Sequence, residues 1–292
     1  METTLTDKPI EERFFPIDGS NMRYLHAGSG PPLILVHGLM GYSFSWRHAT
    51  PVFAKHAEVF AVDLLGTGFS DRPANLDLSF EACAERLLRF ADSVCKTPFD
   101  LLGTSHGGAV SVTAATLAPQ RIRRLILVAP ANPWAPRGTS LAPFLSNPLV
   151  TPLALQIVPL LKEYYFRRLF ADPRRILPGT LEGYKLAFDR PGSFEYAISI
   201  LRTWNQDFAE LKAALPKIAD IPTLLLWGDR DVAVAPQSAE PLKTENSHRL
   251  FGIVDAGDKV RFHLLRPCGV LQLWPELRRD AQRTGAVVGE FE

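Results

Sequence analysis

Short runs of consecutive apolar residues recur along this chain and are separated by longer segments of helical periodicity. Apolar runs of this length without alternation are typical of strands that are buried on both faces of a parallel sheet. Before the first run, apolar-rich segments on either side of Asp18-Gly19 predict a β-hairpin over 12–17 and 22–27. The buried strands are predicted at 32–36, 59–63, 99–102 and 124–129, and a late strand at 223–231 ends in carboxylates.

The segments between these runs have the periodicity of amphipathic helices. The clearest one covers 80–94, where Phe80, Ala84, Leu87 and Ala91 recur at helical spacing after Ser79, a good N-cap residue. Further helices are predicted around 46–54 and 109–117. Strands that alternate with helices predict an α/β protein, with a mostly parallel twisted sheet, helices on both faces and ligands at the carboxyl ends of the strands.

The stretch from 131 to 218 interrupts this alternation. It contains helix-like segments at 164–170 and 193–204, and its sequence shows no apolar run typical of a buried strand. We therefore expect one α/β core made of residues 1–130 and 219–292, with a helical insertion at 131–218.

The sequence Gly-Thr-Ser-His-Gly-Gly at 103–108 lies between a predicted strand and a predicted helix. A G-x-S-x-G spacing in this context is typical of a sharp turn that exposes a nucleophilic serine, because the glycines remove Cβ atoms that would collide. The start of the following helix directs free N–H groups towards the serine oxygen. Ser105 is therefore the candidate nucleophile, and helix capping is its alternative role.

Three further segments stand in an order that fits this turn: Val-His-Gly-Leu at 36–39, the Asp63–Pro73 loop, and Trp-Gly-Asp-Arg-Asp at 227–231. Together the motifs resemble the α/β-hydrolase family, over residues 14–275, in its capped, esterase-like branch with a serine nucleophile. The resemblance implies that Asp231 is the acid of the catalytic triad. It also implies that the backbone N–H groups of Leu39 and His106 form the oxyanion hole, and that the helical insertion is a cap over the active site.

Other polar residues near these motifs have alternative interpretations. Asp229 is the second candidate for the acid, although its place beside Gly228 also suits a turn. In the family's chain order the histidine follows the acid, so the resemblance makes His37 a residue that orders its loop. Asp63 and Asp71 are expected to hold their loop together. The family's dehalogenases and epoxide hydrolases have aspartate as nucleophile, so Ser105 points away from them.

The triad histidine is missing from the place where the resemblance puts it. The family base follows the last strand, and two alignments reach that site: one places Val270 there and the other Asp258. Valine accepts no proton, and a carboxylate with an ordinary pKa of about 4 is a weak base for an alcohol. His263 is the candidate substitute base, and His248 is an alternative with less support.

The insertion contains aromatic residues that have two interpretations. By analogy with the family, Trp134, Phe144, Phe188 and Trp204 would line an apolar substrate pocket. They would equally serve as the core of the cap itself.

These motifs leave three functions open. The first is a serine hydrolase that cleaves a small apolar ester or related acyl compound through an acyl-enzyme at Ser105. The second is a catalytically silent relative that binds a small apolar ligand. The third is a C–C bond hydrolase, which needs the same base.

The composition limits the kinds of binding partner to be expected. The 32 basic and 31 acidic residues give a net charge of +1, which does not favour binding to nucleic acid or to an anionic membrane. The three cysteines, Cys83, Cys95 and Cys268, are far apart and have no metal-ligand spacing. No dinucleotide-binding motif is present, so we expect no metal and no cofactor. A polar start and the lack of a membrane-length apolar run predict a cytoplasmic location.

Overall fold

The computed structural model describes residues 9–135, 147, 149–168, 174, 176–229, 231–244 and 249–254. Within these ranges eight strands form one sheet in the order β1-β2-β4-β3-β5-β6-β7-β8. The strands are β1 Glu11–Ile17, β2 Ser20–Gly28, β3 Pro32–Val36, β4 Glu58–Val62, β5 Phe99–Thr104, β6 Ile122–Val128, β7 Thr223–Gly228 and β8 Arg249–Val254.

The strand directions confirm the predicted α/β class. Strand β2 is antiparallel to both β1 and β4, whereas every pairing from β4 through β3, β5, β6 and β7 to β8 is parallel. The register pairs Val36 with Gly103 and Thr104 with Val128. The carboxyl ends of β3, β5, β6 and β7 therefore meet at one edge of the sheet, which is the edge that carries the predicted site residues.

Seven α-helices lie in the described ranges: α1 Thr50–Phe53, α2 Phe80–Val94, α3 His106–Leu117, α4 Thr151–Arg168, α5 Thr180–Phe188, α6 Ser193–Ala214 and α7 Ala239–Thr244. Short 3-10 turns occupy Ser43–Trp46, Pro119–Arg121, Leu215–Ile218 and Pro236–Ser238. None of the helices in these ranges combines the length and the apolar character that crossing a membrane requires.

Several helix boundaries differ from the prediction for physical reasons. The helix predicted at 46–54 is divided into a 3-10 turn and α1, which begins beside Pro51. Proline has no backbone N–H, so it fits the first turn of a new helix but cannot donate the hydrogen bond that would continue an earlier helix. Helix α6 runs ten residues beyond the predicted end at 204, because Phe208 and Leu211 continue its buried face. The segment predicted at 164–170 begins inside α4.

The core forms two layers, one on each face of the sheet. Ile34 and Leu101 pack with α2 and α3 on one face, whereas Leu33 and Leu102 pack with Trp46 on the other. This coverage of both faces explains why the strands lack a polar side. At the start of α2, the Ser79 hydroxyl accepts a hydrogen bond from the Ala82 N–H at 3.2 Å, which confirms the predicted N-cap.

The segment between β6 and β7 contributes α4, α5 and α6, and no strand occurs in its described part. Helix α5 lies against the chain that follows β3. The Tyr42 hydroxyl donates to the Gly183 carbonyl at 2.6 Å, and the Tyr184 hydroxyl donates to Ser45 Oγ at 2.8 Å. The second half of α6 packs instead into the main core through Trp204. The division into a core and a cap at 131–218 therefore stays a prediction.

Candidate active site

Ser105 occupies the turn between β5 and α3 in a strained backbone conformation. Its φ is +50° and its ψ is −122°, a region that residues with a Cβ atom rarely adopt. A Cβ atom at Gly103 would overlap the Gly107 carbonyl oxygen, and one at Gly107 would overlap the His37 carbonyl oxygen. The glycines are therefore required by the close approach of strand, helix and neighbouring loop, as the motif predicted.

Backbone hydrogen bonds hold this turn from both sides. The Ser105 N–H donates to the Val128 carbonyl at 3.2 Å. The Ser105 carbonyl accepts from Gly108 at 2.9 Å and from Ala131 at 2.8 Å. The strained residue is thus fixed to β6, to its own helix and to the chain that follows β6.

The loop after β3 lies directly beside the serine. A Cβ atom at Gly38 would be 3.1 Å from Ser105 Cβ and 3.8 Å from Ser105 Oγ. The Gly41 N–H donates to the Gly38 carbonyl at 2.8 Å and closes this loop. In the described part of the chain, neither the Leu39 N–H nor the His106 N–H donates a hydrogen bond to the protein. Two unused N–H groups at these positions fit the predicted oxyanion hole.

His37 orders this loop. Its Nδ1–H donates to the Gly38 carbonyl at 2.8 Å, and its Nε2 accepts the Leu64 N–H at 3.2 Å. The Thr67 hydroxyl lies 3.0 Å from the same Nε2. The ring is fully buried, and this burial lowers the pKa of His37. Both ring nitrogens are engaged, so His37 is not available as a base for Ser105.

Asp63 and Asp71 hold the loop after β4. Asp63 is fully buried, accepts the Ser43 N–H at 2.7 Å and the Phe69 N–H at 3.0 Å, and pairs with Arg23 at 2.9 Å. Asp71 accepts the Asn21 N–H at 2.7 Å. Both carboxylates are therefore structural, in agreement with the prediction.

The side chain of His106 points away from solvent and into the core. Its ring lies edge-on to Phe80 and parallel to Trp204. Burial lowers the pKa of His106 to about 3, so its imidazole is neutral at physiological pH. Its Nε2 is buried and has no hydrogen-bond partner among the described residues. The imidazole of His106 therefore faces the core, while the role of its backbone N–H in the oxyanion hole stays a prediction.

Asp231 follows β7, and its two carboxylate oxygens differ in their hydrogen bonds within the described chain. Only 5% of the residue is exposed; Oδ1 accepts the N–H groups of Ala233 at 2.8 Å and Val234 at 2.9 Å. Oδ2 is buried and has no partner among the described residues. The competing candidate, Asp229, is exposed. A buried carboxylate with one oxygen fixed and one unused suits the orientation of a catalytic base better than an exposed one.

The described residues supply no base for Ser105, and the candidates for that role lie outside them. Ser105 Oγ forms no hydrogen bond within the described chain, which includes five of the seven histidines. The remaining two, His248 and His263, lie outside the described ranges, as do Asp258, Val270 and Phe144. Strand β8 pairs with β7 and ends at Val254. Both alignments of the base position, at Asp258 and at Val270, therefore stay predictions.

A small cleft that is open to solvent adjoins the oxyanion loop. Its walls come from that loop, from the loop after β4, and from α5 and α6. Phe188 lines this cleft, whereas Trp204 is buried in the core and Trp134 packs against the core beside Lys212. The pocket role of Trp134 and Trp204 stays a prediction. Leu39, which was predicted for the oxyanion hole, also lines the cleft. The other lining residues were not identified as pocket residues from the sequence: Met40, Gly41, Gly66, Thr67, Gly68, Arg72, Ala187, Ser193, Tyr196, Ala197 and Ile200.

A parallel sheet with a strained serine at the end of one strand and a buried aspartate after a later one defines a class of α/β enzymes. A sequence model described as the alpha/beta hydrolase fold matches residues 31–261. The chain belongs to this family.

Curated relatives within the family differ in their reactions. The chain is 27% identical over 240 residues to haloalkane dehalogenase 2 of Mycobacterium tuberculosis H37Rv, covering 80% of this chain and 82% of the relative. It is 25% identical over 283 residues to 2-hydroxymuconate semialdehyde hydrolase of Pseudomonas sp. CF600, covering 91% and 88%. It is 30% identical over 232 residues to lipase 1 of Psychrobacter immobilis, covering 77% and 70%. These similarities support an α/β-hydrolase enzyme.

Proposed function

We propose that the protein is a serine hydrolase that cleaves a small apolar ester, or a related acyl compound, through an acyl-enzyme at Ser105. Ser105 Oγ attacks the carbonyl carbon while a base takes the hydroxyl proton. The N–H groups of Leu39 and His106 hold the oxyanion. The base then gives its proton to the departing alkoxide, and water hydrolyses the acyl-enzyme. Asp231 orients the base through Oδ2.

The observation that carries this proposal is the backbone conformation of Ser105. A φ of +50° with a ψ of −122° costs about 1–3 kcal/mol for a residue with a side chain. A serine that merely capped α3 would adopt extended backbone angles and accept a hydrogen bond at its hydroxyl, which Ser105 does not do. The strain is understandable if the hydroxyl has to face a substrate beside the oxyanion loop.

Labelling with a small fluorophosphonate tests the proposal directly. We expect one adduct in the intact-protein mass, absent from Ser105→Ala. The matched control is Ser111→Ala, which removes a buried hydroxyl six residues along the same helix; it should still be labelled. Failure of the folded protein to react would overturn the proposal.

The identity of the base is a separate question. We propose His263 as the base, with Asp231 as its acid. His263→Ala should then abolish labelling of Ser105, whereas His248→Ala should not. The opposite pattern would assign the role to His248. If both variants react at the original rate, neither histidine is the base.

A catalytically silent relative that binds a small apolar ligand is the second candidate, favoured by the lack of histidine at both aligned positions. Loss of the triad histidine costs about 10⁶-fold in kcat and leaves about 10³–10⁴-fold over water. If only the base is absent, a histidine at the correct aligned position should raise ester hydrolysis strongly, so Asp258→His and Val270→His are compared, and a gain in one of them identifies the alignment. A C–C hydrolase needs the same activated serine and would also be labelled.

A further inference from the structure

The side chain of Arg72 lies in the wall of the cleft and forms no ion pair with an acidic residue of the described chain. Its Nη1 donates to the Ser70 carbonyl at 3.2 Å, and its Nη2 donates to the Gly68 carbonyl at 3.0 Å and to Ser193 Oγ at 3.2 Å. The Nε–H is buried and has no acceptor in the described chain, and the guanidinium forms no ion pair there. All the hydrogen-bond acceptors of Arg72 in the described chain are neutral, so no carboxylate binds its guanidinium directly.

A second arginine adds to this charge. The guanidinium carbon of Arg190 lies 5.2 Å from the centre of the Phe69 ring, and Arg190 forms no ion pair within the described residues. Burial, and then the charge of Arg190, lower the pKa of Arg72. Arg190 is exposed and does not line the cleft, but its charge acts on Arg72, so an anion bound near both arginines would relieve their repulsion.

The N-terminus of α6 opens onto the same cleft. This helix has 22 residues and begins after Gly192, whose φ is +84°. Its first residue, Ser193, and the following turns at Tyr196 and Ile200 line the cleft. The N-terminus of a long helix has a partial positive charge and favours anions. Three independent features thus make this end of the cleft electropositive.

Two acids near this end of the cleft, Asp63 and Glu195, are engaged elsewhere or point away from the lining. Asp63 is close enough to raise the pKa of Arg72, but its oxygens are occupied by backbone N–H groups and by Arg23. Glu195 in the first turn of α6 is exposed and does not line the cleft. The remaining lining is largely apolar, as at Leu39 and Phe188.

We propose that the substrate of Ser105 is an ester that bears a free carboxylate, which binds at Arg72, Arg190 and the N-terminus of α6. This substrate class rests on the proposed function. The oxyanion loop receives the ester carbonyl, and the apolar lining contacts the chain that joins the ester to the carboxylate. Arg72 is a specificity-determining residue in this assignment, because it fixes one end of the substrate relative to Leu39.

Binding to Ser105→Ala tests the site without requiring catalysis. The probes are monomethyl glutarate, which carries one carboxylate, and dimethyl glutarate, which carries none, both measured by isothermal titration calorimetry. A charge-assisted hydrogen bond should make the mono-ester bind about 10-fold to 100-fold more tightly. The difference should shrink as salt is raised, because the interaction is electrostatic.

The arginine variants locate the site. In the Ser105→Ala background, Arg72→Gln should abolish the preference for the mono-ester, and Arg190→Gln should reduce it. Arg47→Gln is the matched control, since Arg47 also donates to a cap hydroxyl, Thr180 Oγ1, at 2.7 Å but does not line the cleft. It removes one charge and should retain the preference.

The outcomes separate this inference from the proposed hydrolase. Equal binding of the two esters, or an unchanged preference in Arg72→Gln, would overturn the carboxylate site even if Ser105 reacts with fluorophosphonate. A clear preference in a protein whose Ser105 does not react would support the site and reject the hydrolase. A preference that Arg47→Gln abolishes as fully as Arg72→Gln would contradict the assignment to the cleft.

Discussion

The imidazole of His106 lies parallel to the indole of Trp204, with ring centroids 6.1 Å apart and planes inclined by 13°. His106 begins α3 directly after the candidate nucleophile, and Trp204 belongs to α6, the helix whose first turns line the cleft. The contact therefore links the wall of the cleft to the residue whose N–H is assigned to the oxyanion hole. Packing of α6 and placement of that N–H depend on the same pair of rings.

Two buried tryptophans differ in one hydrogen bond, which gives a matched prediction. Trp227 Nε1 donates to the Val234 carbonyl at 3.0 Å, whereas Trp204 Nε1 is buried and has no partner among the described residues. Replacement by phenylalanine removes similar volume at each site, but only Trp227→Phe leaves a carbonyl without its donor. We expect Trp227→Phe to lower the free energy of unfolding by about 1–3 kcal/mol more than Trp204→Phe, measured by urea denaturation. Equal losses would mean that the hydrogen bond contributes nothing.

The strain at Ser105 predicts an unusual order of stability. Glycine adopts a φ of +50° without penalty, whereas alanine keeps the strain of the wild-type backbone. The unfolded glycine chain has more entropy, which offsets part of this gain. Ser105→Gly should therefore be more stable than Ser105→Ala by about 1 kcal/mol. At Ser111, inside α3, the order should reverse by about 1 kcal/mol, because alanine is the better helix former. Urea denaturation of the four variants measures both differences. Greater stability of the alanine variant at both positions would show that Ser105 is not strained.

Apolar runs predicted the parallel strands well, because burial on both faces leaves little room for polar residues. The run at 32–36 matches β3 residue for residue, and the periodicity at 80–94 matches α2. The insertion was predicted less accurately. Its helices pack on loops as well as on one another, as Tyr184 does on Ser45, so their boundaries depend on contacts that periodicity does not register.

The residues of the candidate site also differ in how well the sequence predicts their positions. The positions of Ser105, Leu39 and Asp231 were predictable because each follows a strand of the sheet and the topology brings strand ends together, while their catalytic roles stay predictions. Arg72 was not, since its importance comes from the approach of α6, more than a hundred residues away along the chain. A binding role for the Arg72 guanidinium can be inferred only once the tertiary structure shows that it lines a cleft and forms no ion pair with a described acidic residue.

The buried imidazole of His106 predicts loss of stability in acid. Unfolded histidine titrates near a pKa of 6.5, whereas in the folded protein the pKa of His106 is about 3. Between these values the unfolded chain binds a proton that the folded protein does not. Stability should therefore fall by up to about 1.4 kcal/mol per pH unit below pH 6.5.

His106→Leu isolates this effect. His37, whose pKa is also lowered, remains in both proteins, so the difference in unfolding free energy between variant and wild type reports His106 alone. Wild type should lose stability relative to the variant as the pH decreases from 6.5 to 4. Parallel pH profiles would contradict the assignment of a neutral, buried ring.

Asp207 predicts a pH dependence of opposite sign. Only 3% of the residue is exposed, and burial raises the pKa of its carboxyl to about 6, against the hydrogen bond from Thr203 Oγ1 at 2.7 Å. Between pH 3.8 and 6 the folded protein holds a proton that the unfolded chain has released. Relative to Asp207→Asn, wild type should lose about 1.4 kcal/mol per pH unit as the pH rises through this window, and then level off. Chemical denaturation at several pH values measures the slope, and its absence would show that the carboxylate is ionised in the fold.

Gly183 controls how closely α5 approaches the chain after β3. A Cβ atom there would overlap the Phe44 ring, although the backbone of Gly183 is helical and imposes no conformational penalty on alanine. Gly183→Ala should therefore destabilise the protein by about 1–3 kcal/mol through overpacking. Leu186→Ala on the same helix is the control, because Leu186 is 65% exposed and should change stability little.

A second substitution tests whether the Phe44 contact is the cause. Phe44→Leu in the Gly183→Ala background removes the overlapping ring, so the two changes together should cost less than the sum of their separate effects. A double-mutant cycle by urea denaturation measures this coupling, which we expect to be at least about 0.5 kcal/mol, typical of residues in contact. Additive losses would mean that the new methyl group is not accommodated against the Phe44 ring. Gly183 would then not set the distance between α5 and the oxyanion side of the cleft.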